Sequence, residues 1–438
     1  MRRAMESLIY WIWLALRCGA GSESGTLLLS LFGSPRAVHE TDARTLGAIG
    51  GIDDRLFHAL CDKSLERERM IVAYCEKMKI GILTPDSDAY PSRLRAIHAK
   101  PLVLYYLGAL PDFGRRLSIA CVGTRTCSHG GRDNAFLLGY DLAACGAVVV
   151  SGLARGIDTA AHAGALAAGG HTVAVLGCGL DHVYPPENRP LMRDIARRGT
   201  LVTEFAPGTA PNARNFPIRN RIISGLSQAT AVVEADLRSG SLITARCALR
   251  QGRDLFAYPG GAADRLSAGT NSLIRNGATL TTSAYDILRE YELTYPHTIF
   301  TERLGGCEEH RTRALAAFSH AAPLPPPPKM AESTVTRERT KAPKAKTVQK
   351  PPRKEETPHA APGWKPDGLS EPEREVLALL DRPMSCEELA VLYARKTGKR
   401  ADVATLLGTL TMLEMGGFAE ALPGGVYRAR NEGSGRSL

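Results

Sequence analysis

The run Arg214-Asn215-Phe216-Pro217-Ile218-Arg219-Asn220-Arg221-Ile222-Ile223-Ser224 sets three arginines, two asparagines and one aromatic ring into eleven residues. Its surroundings are apolar and glycine-rich. A guanidinium is a planar, permanently charged fork that suits phosphates and stacks on bases, which an ammonium does less well. Phe216 adds a flat apolar face beside Arg214, Arg219 and Arg221. Cation and ring together are what a groove for single-stranded nucleic acid needs. The same residues also fit a solvated basic helix start with Phe216, Ile222 and Ile223 in the core.

A second set of candidates lies where apolar runs end. They are Gly123-Thr124-Arg125, Ser151-Gly152-Leu153-Ala154-Arg155-Gly156, Gly177-Cys178-Gly179, Ser239-Gly240-Ser241 and Tyr258-Pro259-Gly260-Gly261. Glycine lets backbone approach a phosphate, and a following helix offers free N–H donors to an anion. Each glycine alone is equally a tight turn or a close helix–strand contact. Jointly, beside Arg125, Arg155, Arg219 and Arg221, they suggest a rim for a polyanion. No Gly-x-Gly-x-x-Gly opens the first unit and no Gly-Lys-Ser/Thr occurs in these loops. Dinucleotide and Walker-type sites therefore lack their motifs, and no cofactor is expected.

Catalytic patterns are thin. Ser151, Asp158 and His162 invite a triad, yet Asp158 stands where a helix N-cap belongs and His162 is spaced to be its helical partner. There is no Gly-x-Ser-x-Gly elbow. Glu204 and Glu234 close two apolar runs and could serve as acid and base, or hold nearby arginines. The ten cysteines, Cys18 to Cys386, include no Cys-x-x-Cys pair. No metal site is expected, and the cysteines read as small buried hydrophobes of a reducing compartment.

Apolar strands alternate with helices from Leu117 to Tyr291. That order means a parallel sheet covered on both faces, an α/β fold of extended Rossmann-like type. The expected strands are Leu117–Val122, Ala147–Val150, Thr172–Leu176, Thr200–Thr203, Ala229–Val233, Asp254–Ala257 and Thr279–Thr282. The intervening helices are Asp133–Cys145, Thr159–Ala168, one through Arg214–Ser224, Ser241–Gln251, Asn271–Asn276 and Ala284–Tyr291. Residues 1–65 read as a small SAM-like or helix-hairpin-helix bundle, and 66–305 as the main domain. Residues 306–365 read as an extended Pro-rich basic linker. Residues 366–430 form three helices and a Gly-turned hairpin, a winged-helix pattern.

The formal charge of +10 is mostly local. Residues 329–354 hold nine Lys/Arg against two acids, +7 in all, so the folded parts are close to neutral. Any basic groove there must come from placement. Arg2 and Arg3 precede an apolar run, but Glu6 and Arg17 flank it and no small-x-small cleavage site follows. No run reaches transmembrane length. The expectation is a cytoplasmic protein without membrane contact.

These residues resemble the DNA processing protein A family (DprA, also called Smf). The resemblance is carried by Val122-Gly123-Thr124-Arg125, the loop from Ser151 to Asp158 with Ala161-His162, and Leu176-Gly177-Cys178-Gly179-Leu180-Asp181 with Tyr184-Pro185. Phe216 to Ser224, Glu234-Ala235, Ser239 to Ala245, Pro259-Gly260 and Gly269 to Ile274 continue it in order. Departures are small: Thr124 for the usual Ser, Thr203 before Glu204, and Tyr258 before Pro-Gly. The resemblance implies SAM-like helices, an extended Rossmann-like domain and a winged helix. It implies a non-enzymatic homodimer that binds single-stranded DNA and loads the RecA recombinase onto it in transformation and recombination. It places Arg125, Arg214 and Phe216 in the DNA groove, with Arg155, Arg219, Asn220 and Arg221 added from motif position.

Two other readings stay open. A Rossmann-like nucleotide phosphoribohydrolase would use Pro259-Gly260-Gly261 and Gly269-Thr270, though Asn271 stands where an acid is wanted. An adaptor would work through the basic linker and the terminal helices.

Overall fold

The computed structural model describes residues 2–321 except 307, then 371–397 and shorter pieces to 429. These fall into two compact units, divided between Ser333 and Thr334.

The first unit opens with helices α1 (Arg2–Cys18), α2 (Ser24–Phe32), α3 (Pro35–Glu40), α4 (Ala43–Gly47), α5 (Asp54–Cys61) and α6 (Glu66–Met78). Ser34, Asp42 and Asp53 cap α3, α4 and α5 by accepting the backbone N–H of Ala37, Thr45 and Leu56. A nine-stranded sheet follows. Its strands are β1 (Gly81–Leu83), β2 (Leu104–Gly108), β3 (Ser118–Val122), β4 (Val148–Ser151) and β5 (Thr172–Val175), then β6 (Thr200–Thr203), β7 (Ala229–Val232), β8 (Asp254–Ala257) and β9 (Thr279–Leu280). Helices α7 (Ser92–Arg95), α8 (His129–Ala144), α9 (Ile157–Ala167), α10 (Arg189–Arg198), α11 (Asn215–Leu226), α12 (Ser241–Arg250), α13 (Ala268–Arg275) and α14 (Ala284–Leu288) connect them.

The spatial order is β1-β2-β6-β5-β4-β3-β7-β8-β9. β3 to β9 run parallel, while β1 and β2 add an antiparallel edge. Successive residues of β3 point to opposite faces, as a pleat requires. Ile119 and Cys121 join the core under α8, α9 and α14, whereas Ala120 and Val122 pack with Ile222, Ile223 and Leu226 of α11. Double-sided burial explains the continuous apolar runs. From β3 the chain winds one way through β4, β5 and β6, and the other way through β7 and β8. The ends of β3 and β7 therefore flank the topological switch point, where open α/β sheets bind ligands.

The parallel sheet is as expected, and several local expectations are corrected. α3 and α10 are helices that the expected elements did not include. The N-terminal helices do not have a core of their own: Trp11, Trp13, Leu28 and Leu60 share one cluster with Tyr105, Leu176 and Leu201 of the sheet. Asp158 is not an N-cap but lies inside α9, and His162 bonds Thr172 rather than Asp158. α15 (Arg303–Gly306) ends where the expected linker begins, and the start of that linker is helical as α16 (Glu308–Ala321). Phe318 of α16 stacks on Phe136 of α8 at 4.7 Å, and Arg311 lies 3.3 Å from Asp141. The rest of the expected linker, 322–365, lies outside the described residues.

In the second unit, α17 (Glu371–Leu377) and α18 (Cys386–Thr397) accompany a three-stranded antiparallel sheet. β12 (Val426–Ala429) lies between β10 (Met384–Ser385) and β11 (Ala419–Leu422). Val376, Leu389, Tyr393, Leu406, Leu410 and Leu413 form its core.

Candidate nucleic-acid interface

Arg125 follows β3 and is exposed, and Phe216 opens α11 half-buried. The Arg125 guanidinium carbon lies 5.4 Å from the centroid of the Phe216 ring. Tyr184, from the loop after β5, stacks on the same ring at 5.2 Å and 30°. Gly177, at the end of β5, makes room for it: a β-carbon there would come within 2.7 Å of Phe216 Cδ1. Arg214 precedes the helix and is exposed. A loop arginine, a clamped ring and a second aromatic thus converge at the carboxyl ends of the strands.

The other arginines of the run face inward. Arg219 is only 3% exposed and donates from Nη1 to the carbonyls of Gly152 (2.7 Å) and Val175. Its charge is balanced by Asp158, which accepts the N–H groups of Gly152 (3.1 Å) and Ala154 (3.4 Å). Burial lowers the Arg219 pKa to about 10, while Asp158 pulls it up. The Asp158 carboxyl is itself raised by burial, against Arg219 and the two N–H donors. Gly152 is needed because a β-carbon there would lie 2.6 Å from Arg219 Nη2. Arg221 pairs with Glu204 at 2.7 Å and donates to Ala99 O at 2.9 Å. Asn220 is also buried, accepting from Arg219 Nε and donating to Gly240 O. Arg155 is spent on an ion pair with Glu187. Arg219 and Asn220 thus border the cleft from buried positions, Arg219 at 6.0 Å from the Phe216 ring, while Arg219 and Arg221 rivet α11 to its neighbours.

The glycines follow the same pattern. A β-carbon at Gly123 would strike Ile157 and Glu234 O, one at Gly156 the Thr124 carbonyl, one at Gly179 Asp181 and one at Gly260 Ser267. Gly156 also has φ +73°, a conformation that side chains disfavour. Gly240, at the start of α12, has nothing within 4 Å. Beside it the hydroxyls of Ser239 and Ser241 lie 2.8 Å apart. Thr124 is buried, and Ser151 donates to Cys121 O at 2.6 Å. Between the ends of β3 and β7 is a cleft of about 300 Å³, bordered by Gly123 to Arg125, Phe216, and Arg238 to Ser241. Its mouth carries two exposed cations, Arg125 and Arg238, beside the start of α12.

The family described as DNA recombination-mediator protein A matches residues 81–292. The DNA processing protein DprA of Streptococcus pneumoniae is 46% identical over 207 residues, 47% of this chain and 72% of that protein. The chain belongs to the DprA/Smf family. The Bacillus subtilis DprA is 40% identical over 222 residues, 51% of this chain and 74% of its own. The X-ray structure of S. pneumoniae DprA superposes with TM-score 0.55 at 38% identity, covering 64% of this chain and 97% of that one. The region matched to the DprA/Smf family holds every residue of the cleft, while α1 to α6 precede it.

The catalytic candidates have structural partners in this DprA/Smf fold. Ser151, Asp158 and His162 bond to Cys121, to backbone N–H groups and to Thr172, not to one another. Burial holds His162 down at about 3. Glu234 accepts the Ser128 N–H at 2.8 Å, and Glu204 neutralises Arg221. Asn271 clamps Gly260 through both its backbone groups. Sequence reasoning missed Tyr184 and Arg238 as site residues. Tyr184-Pro185 belonged to the resemblance, and Arg238 adjoins Ser239-Gly240-Ser241, so adjacency was the available signal.

Proposed function

We propose that this chain binds single-stranded DNA in the cleft between β3 and β7, without catalysis. It would hand that DNA to a RecA recombinase, as a cytoplasmic homodimer. The observation that carries the reading is the Arg125 guanidinium over the Phe216 ring at the mouth of the cleft. Cation and ring match the needs of phosphate and base together. Membership of the DprA/Smf family supports the DNA-processing role, and the RecA step rests on the family resemblance. We read α1 to α5 as the SAM-like element and the second unit as a winged helix.

The test is fluorescence anisotropy with single-stranded and duplex DNA at several salt concentrations, on residues 1–321. That boundary keeps α16 and removes the basic run at 329–354. A single-strand preference whose log K falls by about 0.7 per contacted phosphate against log salt is the expected result. Equal affinity for duplex, or binding lost with the basic run, would defeat it.

A further inference from the structure

A second cavity, of about 620 Å³, lies between the start of α2 and the segment from Arg95 to Lys100. That is within the range of about 300–1,000 Å³ typical of small-molecule sites. Leu27 and Ile97 give it an apolar lining, and Thr26, His98 and Lys100 give it polar groups. Glu23 forms an ion pair with His98 across it. Lys100 and the Thr26 hydroxyl have no hydrogen bond or ion pair among the described residues. Arg95, on the same segment, is held by the carbonyls of Pro85 and Ser87 over the Tyr90 ring.

Both walls of this cavity are fastened to the helix turn that carries Phe216. Ile218 packs against Gly21, where a β-carbon would come within 2.7 Å of Ile218 Cγ2. Arg221 donates to Ala99 O at 2.9 Å on the other wall. Glu204 completes the link, accepting from both Arg221 and the Gly21 N–H. The cavity is therefore built onto the same element as the cleft, not onto a separate module.

We propose that this cavity is a second subsite for the same DNA strand, taking a backbone phosphate on Lys100 and the Thr26 hydroxyl. The inference rests on the single-strand reading of the cleft. Leu27 and Ile97 offer an apolar surface to the adjoining sugar or base.

The experiment uses the full chain with oligothymidylates of about 6 and about 20 nucleotides, spanning the usual size of one single-strand site and more. Lys100→Ala and Thr26→Val are compared with the unaltered chain, with Lys100→Arg as a rescue. The ratio of long-strand to short-strand affinity should fall about threefold in Lys100→Ala and return in Lys100→Arg. The salt slope on the long strand should fall by about 0.7. Ratio and slope equal to those of the unaltered chain in both Lys100→Ala and Thr26→Val would overturn the subsite. Arg125→Ala separates the two failures. If it weakens short-strand binding while Lys100→Ala changes no ratio, the cleft stands and the subsite falls. If Arg125→Ala leaves short-strand binding as it was, the cleft reading fails and the subsite goes with it.

Discussion

Phe216 occupies the space that a side chain at residue 177 would need: a β-carbon on Gly177 would come within 2.7 Å of Cδ1 of the ring. The ring is held between strand end and guanidinium by the absence of a methyl group. Gly177→Ala should therefore displace Phe216 and break its contact with Arg125. We expect it to weaken single-strand binding as Phe216→Ala does, by about 1–3 kcal/mol. Anisotropy titrations of both variants check this. Full affinity in Gly177→Ala would show that the ring position is immaterial.

Arg219 and Asp158 are a buried pair whose separation leaves an uncompensated charge. Arg219→Met should cost about 3–5 kcal/mol in chemical denaturation. Adding Asp158→Asn should recover part of that loss. A cost within experimental error would remove the rivet role.

Asp141 gives a pH dependence. Burial raises its carboxyl to about 6, against the pull of Arg311. An acid whose folded pKa exceeds its unfolded value binds more protons when folded. Its contribution is favourable at low pH and is lost as pH rises from about 4 to about 6. Asp141→Asn should thus gain about 1–2 kcal/mol at neutral pH, and the gain should vanish below about pH 4. Denaturation midpoints across that range decide it, and a loss of stability at pH 7 would mean that the Arg311 pair outweighs burial.

α16 covers part of α8 through Phe318, which stacks on Phe136 and lies under Arg132. Phe318→Ala should lower the stability of the first unit by about 1–2 kcal/mol, less than a fully buried ring because Phe318 is partly exposed. Ending the chain after residue 305 should reduce the melting temperature relative to ending it after 321. Identical melting curves would make α16 an appendage.

The parallel sheet was legible because β3 to β7 are buried on both faces, so each reads as an apolar run, closed by glycine after β3, β4 and β5 and by a glutamate after β6 and β7. The edge of β1 and β2 was half legible: Gly81 to Thr84 reads as a short apolar piece and Pro101 to Leu107 as a strand, but their antiparallel pairing does not show, since pairing between distant segments leaves no local period. α3 had a readable start in Ser34-Pro35, a cap followed by a residue preset for the first helical turn. The cleft was half legible. Arg125 and Phe216 do meet, but charge in the sequence gives no direction, and the partners that draw Arg219 and Arg221 inward, Asp158 and Glu204, are remote along the chain. Glycine was read as access for a phosphate where, at Gly123, Gly152 and Gly177, it is access for the protein's own side chains.

The contact between Gly152 and Arg219 has a consequence for inheritance. The loop after β4 and the helix that begins at Asn215 are far apart in the chain, yet neither can change alone. A methyl group on the loop leaves the guanidinium nowhere to lie, and a shorter side chain on the helix strands the carboxylate beneath it. Grafting either segment from a relative whose counterpart differs would yield a misfit, whereas exchanging both would transfer a working joint. The two segments are one unit of descent written in two places.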